Sequence, residues 1–174
     1  MDLTDSGFDE SLADFRPIPP ELHSVYDCRP FSRCTICSGS LDCVYEIQKV
    51  FRGSEVLFEM AICRQCGEQV AKEFSKESIE AMKGFLLSNF RPHEETSHCH
   101  FCGFPRELLS GWTTLGACRN EQLIFPLIVV CETCSESLQE RLSKATRDLQ
   151  DEFIRDHFPG VPENIDFSPS VFGV

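Results

Sequence analysis

Eight of the eleven cysteines in this 174-residue chain fall into four Cys-x-x-Cys pairs, spaced as two matched sets. Cys34-Thr-Ile-Cys37 is followed after 25 residues by Cys63-Arg-Gln-Cys66, and Cys99-His-Phe-Cys102 after 28 residues by Cys131-Glu-Thr-Cys134. Two intervening residues let the backbone turn so that both sulfurs of a pair face one ion, and four soft sulfur donors at tetrahedral corners are what structural zinc takes. The spacing predicts two zinc ions per chain. Cys34, Cys37, Cys63 and Cys66 would hold one, and Cys99, Cys102, Cys131 and Cys134 the other. Sequential pairing within each set is preferred here; cross-bracing between sets is the alternative.

The remaining candidate donors carry less. Cys28 and Cys118 read as ordinary reduced thiols, with alternative ligation or reactivity as the other option, and Cys43 reads as a core residue on a strand. His98 and His100 flank Cys99 and are expected to point away from the metal. A catalytic zinc keeps an open position, which a closed four-cysteine site lacks. No G-x-S-x-G, H-E-x-x-H or H-x-E…P-C-x-x-C pattern is present. The chain is therefore expected not to be an enzyme.

The elements that must hold these sulfurs are partly readable. Gly103 directly follows Cys102, Gly67 follows Cys66, and Gly39 lies two residues after Cys37. A left-handed residue there would aim backbone N–H groups at the sulfurs. The second pair of each set runs straight into a helical pattern, so Cys66 and Cys134 fall in or near a first helical turn, where the helix dipole favours anionic sulfur. That feature favours a treble-clef over a plain zinc ribbon. In the first set, Cys43–Phe51 and Val56–Ile62 flank Arg52-Gly-Ser-Glu55, a hairpin signal. In the second, Gly111–Leu115 and Leu123–Val130 surround Gly116–Glu121, and Pro126 should mark an edge or bulge. Val70 and Phe74, then Ile79, Met82, Leu86 and Phe90, form apolar stripes separated by a candidate N-cap at Ser75; Leu138, Leu142, Ala145, Leu149 and Phe153 form another.

Cys99-His-Phe-Cys102-Gly103, a hairpin, then Val129-Val130-Cys131-Glu-Thr-Cys134 entering a helix resembles the N-terminal zinc-binding domain of the ClpX unfoldase. That small treble-clef module binds adaptors and substrates and dimerises. Residues 28–90 and 93–158 read as a duplication, each repeat running from knuckle through strands to knuckle and helix, so the resemblance implies metal roles for the four cysteines of the second set and, through the duplication, for those of the first. Here the hairpins are longer, there are two modules, and no G-x-x-x-x-G-K-[ST] loop is present. The expected fold is small, metal-stabilised α+β, two tandem treble-clef-like modules of knuckle, hairpin, knuckle and helix, packed as an internal pseudo-dimer.

Four segments follow: an acidic N-terminal arm (1–27), module 1 (28–92), module 2 (93–158) and a Pro-punctuated C-terminal tail (159–174). The arm reads either as a disordered lead-in or as a short docking segment, with Phe8, Leu12 and Phe15 among its acids. Phe167 and Phe172 of the tail are candidates to dock on a neighbour. Modules this small bury little apolar area, so metal crosslinks would help to hold them. The formal charge of −12 is unevenly placed: −6 over residues 1–27, zero over 28–90, −1 over 91–130 and −5 over 131–174. Two four-thiolate zinc sites would lower the total further, to −16, which weighs against a polyanion partner.

The start of the chain has no basic-then-apolar leader and no apolar run long enough to span a bilayer, so a reducing, cytoplasmic setting is expected, where thiols persist as metal ligands. The function expected is a structural-zinc protein-interaction or adaptor module with a protein partner and no membrane; the sequence does not set the oligomeric state. The alternatives are a nucleic-acid-binding zinc-ribbon-like protein, using Lys49, Arg52, Arg64 and Lys72 or Arg141, Lys144, Arg147 and Arg155, and a thiol redox switch that releases zinc on oxidation.

Overall fold

The computed structural model describes residues 15–92 and 96–161. Phe8 and Leu12 of the arm, and Phe167 and Phe172 of the tail, lie outside them. The rest is α+β: one antiparallel sheet and four helices. The first hairpin joins β2 (Val44–Arg52) to β3 (Glu55–Cys63) through Gly53 and Ser54. Gly53 takes φ +59°, which a tight reversal requires and which side chains resist. The second set gives β4 (Gly111–Arg119) and β6 (Ile128–Cys131), with a two-residue strand β5 (Gln122–Leu123) between them.

The expected loop at Gly116–Glu121 is in large part strand: β4 runs unbroken through Gly116 to Arg119. Tertiary packing overrides the weak strand propensity of glycine here. A Cβ on Gly116 would lie 2.5 Å from Leu22 Cδ1 and 3.1 Å from Leu127 Cδ2, so a larger residue would force the Leu22 side chain to shift. Pro126 falls between β5 and β6, outside the ladder it cannot donate to.

The two hairpins share a single sheet. β2 and β4 are both nine residues long and pair antiparallel end to end, Val44 opposite Arg119 and Arg52 opposite Gly111. Their midpoints, Gln48 and Leu115, therefore lie side by side. Tyr45 also pairs with Cys63, and Trp112 with Cys131, so the two second knuckles sit at opposite ends of the sheet.

Each second knuckle leads into a short helix and then a long one. α1 (Arg64–Lys72) and α2 (Lys76–Asn89) follow Cys63; α3 (Glu132–Gln139) and α4 (Lys144–His157) follow Cys131. Ser75 caps α2 by accepting from Ser78 N–H at 3.1 Å, as its position predicts. The second stripe is not one helix. Ser143 caps α4 by accepting from Thr146 N–H, and the restart turns the inward face to Leu142, Thr146 and Gln150, leaving Ala145 exposed. The two helix starts meet. Ser75 N–H donates to Thr146 Oγ1 (3.1 Å), Ser143 N–H donates to Ser78 Oγ (2.9 Å), and the two capping hydroxyls are 2.9 Å apart. Each capping hydroxyl thus satisfies an orphan donor of its own helix, and the hydroxyl three residues on, Ser78 or Thr146, satisfies one of the neighbour's.

Side chains alternate across the sheet, so its two faces have different covers. The face of Ile47, Lys49, Thr114 and Gly116 carries residues 16–24 of the arm. Arg16 and Pro17 form β1, paired with β5; Leu22 is fully buried. Glu21 accepts from both Arg106 Nη atoms (2.8 and 3.2 Å) and from Thr114 Oγ1. Lys49 donates to His23 O and pairs with Glu59 at 3.1 Å, both side chains nearly solvent-free. Glu59 also accepts from Ser24 Oγ and Val25 N–H. The opposite face, with Phe58, Leu115 and Val130, carries the long helices: Phe85 of α2 clusters with Leu115 and Val130, and Phe158, at the end of α4, meets Phe58 edge-on at 4.6 Å.

Candidate metal centres

Two groups of four cysteines converge, and no disulfide joins any of the eleven. Cys34, Cys37, Cys63 and Cys66 form one group; Cys99, Cys102, Cys131 and Cys134 form the other, with the sulfurs of each group within 4.8 Å of one another. The grouping is sequential, each set gathering its own two knuckles, rather than cross-braced. Cys37 and Cys63 sulfurs lie 4.0 Å apart and Cys102 and Cys131 sulfurs 3.7 Å apart. A covalent S–S bond is about 2.05 Å, whereas sulfurs at tetrahedral corners about 2.3 Å from one ion lie about 3.8 Å apart. The donor set and its spacing therefore fit a four-coordinate thiophilic ion in each group. Chemically, such an ion would crosslink a knuckle to a helix start.

The local backbone explains the convergence. Cys63 and Cys131 are the N-cap residues of α1 and α3, which puts Cys66 and Cys134 in the first turn, as expected. Amide N–H groups aim at the sulfurs: Cys63 N–H at Cys34 Sγ, Cys131 N–H at Cys99 Sγ and Cys134 N–H at Cys131 Sγ, each 3.4 Å. At the first knuckles the chain closes through a left-handed residue. Gly103 does so after Cys102, with φ +75°. In the other group Ser38, not Gly39, takes φ +58°, while Gly39 leaves room for the Cys37 sulfur, 3.2 Å from where a Cβ would stand. Gly67 is helical.

Each group holds one acidic thiol. Burial raises Cys34, but the N–H groups of Cys37, Cys63 and Ile36 outweigh it and bring its pKa down to about 7. Cys99 is brought down to about 4, first by the Cys131 thiol hydrogen-bonded to it and then, against burial, by surrounding N–H groups. Four other thiols move the other way. Burial pushes Cys63 and Cys66 up, and Cys134 up to about 12; Cys131 rises because its thiol proton is held by Cys99. A cation bound in either group would displace the protons of its raised thiols.

Two residues matter that the spacing does not reveal. Thr35 and His100 follow the first cysteine of their sets, and each ties its knuckle to the adjacent strand. Thr35 N–H donates to Ala61 O and Thr35 Oγ1 accepts from Ala61 N–H; His100 N–H donates to Val129 O and His100 Nδ1 accepts from Val129 N–H. His100 is buried and stacks on Phe90, so it serves the strand edge. The only sequence signal is their shared position, since the residue types differ. His98 lies on the surface beside Ser97.

Cys28, Cys43 and Cys118 join neither group. Cys43 is not core: it stands exposed one residue before β2, where the ladder has not begun. Cys118 is buried beside Tyr45, and burial pushes its thiol up to about 12. Cys28 is exposed with φ +53°. Among the described residues no helix is long and apolar enough to cross a membrane. Comparison with protein-family models, with curated proteins and with solved structures found no match, so function has to be argued from these two cysteine groups and the surface around them.

Proposed function

We propose that the chain is a structural-zinc module that presents a protein-binding surface, holds two zinc ions in all-sulfur sites, performs no catalysis itself and works in the reducing cytoplasm. The observation that carries the metal reading is the convergence of two complete four-cysteine groups, each between a knuckle and a helix start. Zinc is preferred because it is satisfied by four thiolates in tetrahedral geometry without redox chemistry. Each set supports a treble-clef-like unit, since its second knuckle opens a helix. The end-to-end pairing of β2 with β4 and the mutual capping by Ser75 and Ser143 support the internal pseudo-dimer.

The interaction role rests on the surface. Leu87, Tyr26 and Leu108 are 88%, 88% and 66% exposed, and Phe104 is 47% exposed. The net charge of −12 disfavours nucleic acid as partner. Native mass spectrometry tests the metal reading: two zinc ions per chain are expected, and a folded, metal-free chain contradicts it. For the interaction, Leu87→Glu and Leu108→Glu should keep both metals and the fold while abolishing capture of whatever protein the intact chain retains. Retention by both variants would remove these side chains from the interface.

A further inference from the structure

The long helices do not close over the cysteines of their own repeat. Phe85 lies on α2, which follows the first cysteine group, yet it packs in one apolar cluster with Cys99, Phe101, Leu115, Val130 and Cys131 of the second. Its ring is 5.3 Å from that of Phe101, and the Arg141 guanidinium lies 5.3 Å from its centroid. Phe90, just past the end of α2, stacks on His100 and meets Phe101 edge-on, and Arg91 N–H donates to His100 O at 2.7 Å. The reverse contact spans nearly the whole described chain. Phe153 and Ile154 of α4, and Phe158 just past its end against Phe58, pack into the cluster that contains Cys34, Cys63 and Cys66 of the first group.

We propose that each cysteine group is held shut by the helix of the other repeat, so that the two metal sites open and close as a linked pair, with Phe85 a positioning residue for the Cys99 group and Phe158 for the Cys34 group. This rests on the metal reading above and adds linkage to it. A side chain that packs around a ligand set selects the closed arrangement, and the ion adds its binding energy to that arrangement. Loss of the ion from one group loosens the helix start that follows its second knuckle. The long helix beyond it then holds the other group less firmly. Because the helix starts are tied through Ser75, Ser78, Ser143 and Thr146, neither helix can shift without disturbing the other.

The test is crossed. Zinc content of the intact wild-type chain is measured first; a chain without two ions refutes the metal reading itself, independently of linkage. Thiol alkylation under limiting chelator, read peptide by peptide in the mass spectrometer, then gives an opening rate for each group. Phe85→Ala should speed labelling of Cys99, Cys102, Cys131 and Cys134 first, at least about tenfold, with the Cys34 group following by a smaller factor. Phe158→Ala should do the opposite. Phe85→Leu and Phe158→Leu, which retain most of the apolar volume, give the same reading if the alanine variants do not fold. Loosening of the mutated helix's own group first, or of one group with the other left unchanged, would overturn the proposal.

Discussion

The two repeats build the same sulfur frame from different surroundings. In both, the second knuckle is an N-cap, and a capping serine follows the fourth cysteine at the same distance, Ser75 after Cys66 and Ser143 after Cys134. Around that frame the repeats diverge. The first closes its hairpin with Gly53 and Ser54; the second spends residues 120–127 there and uses them to pack Leu123 and Leu127 on the sheet. Thr35 ties the strand edge in one repeat and His100 in the other. At mid-sheet Gln48 of the first faces its counterpart Leu115 of the second. What stays constant is what positions sulfur. What varies is what covers the sheet, where many side chains do equally well.

Metal removal should produce the largest effect, and it should not spare either repeat. Stripping both ions is expected to abolish near-native circular dichroism and amide dispersion across the whole chain, because the repeats share one sheet. Persistence of one repeat's resonances would separate the two. Next, the buried pair Lys49–Glu59 latches the arm to the first repeat. Lys49→Met leaves Glu59 buried and uncompensated and should cost about 3–5 kcal/mol in denaturant unfolding, whereas a loss no larger than that of a surface ion pair would place the pair in solvent. Leu22→Ala, beneath which Gly116 makes room, should cost about 2–5 kcal/mol, and an unchanged midpoint would mean the arm is dispensable.

Smaller effects sharpen the comparison at the centre. Gln48 is fully buried, and neither its amide oxygen nor its nitrogen has a hydrogen-bond partner among the described residues. Gln48→Leu copies the second repeat's choice and should stabilise by about 1–3 kcal/mol; destabilisation would show that the amide has a partner such as ordered water. Ser75→Ala and Ser143→Ala should each cost about 1 kcal/mol. The double variant should cost less than their sum, because the two hydroxyls share partners. Full additivity in urea titrations would argue against mutual capping.

The sulfur frame was legible in the sequence because cysteine spacing is a local property: two residues between sulfurs, a second pair followed at once by helix. The first hairpin was legible for a similar reason, with β-branched and aromatic runs on either side of a Gly-containing loop. What escaped was set by contacts far along the chain. β4 continues through Gly116, which pairs with Ile47 and lies under Leu22. The stripe from Leu138 to Phe153 breaks at Ser143 because that serine meets Ser75, a partner no local window contains. For residues 16–24 composition left a disordered lead-in and a docking segment both open; Ile18 and Leu22 are buried against the sheet, as the second requires. The exposure of Cys43 turns on where a ladder begins, which propensity does not resolve to one residue.

X-ray absorption at the zinc edge on the purified chain tests the central claim most directly. Two ions per chain, each surrounded by four sulfurs at about 2.3 Å with no nitrogen or oxygen neighbour, is the predicted result. A nitrogen or oxygen in the first coordination shell, or a folded protein with no edge signal at all, would contradict it.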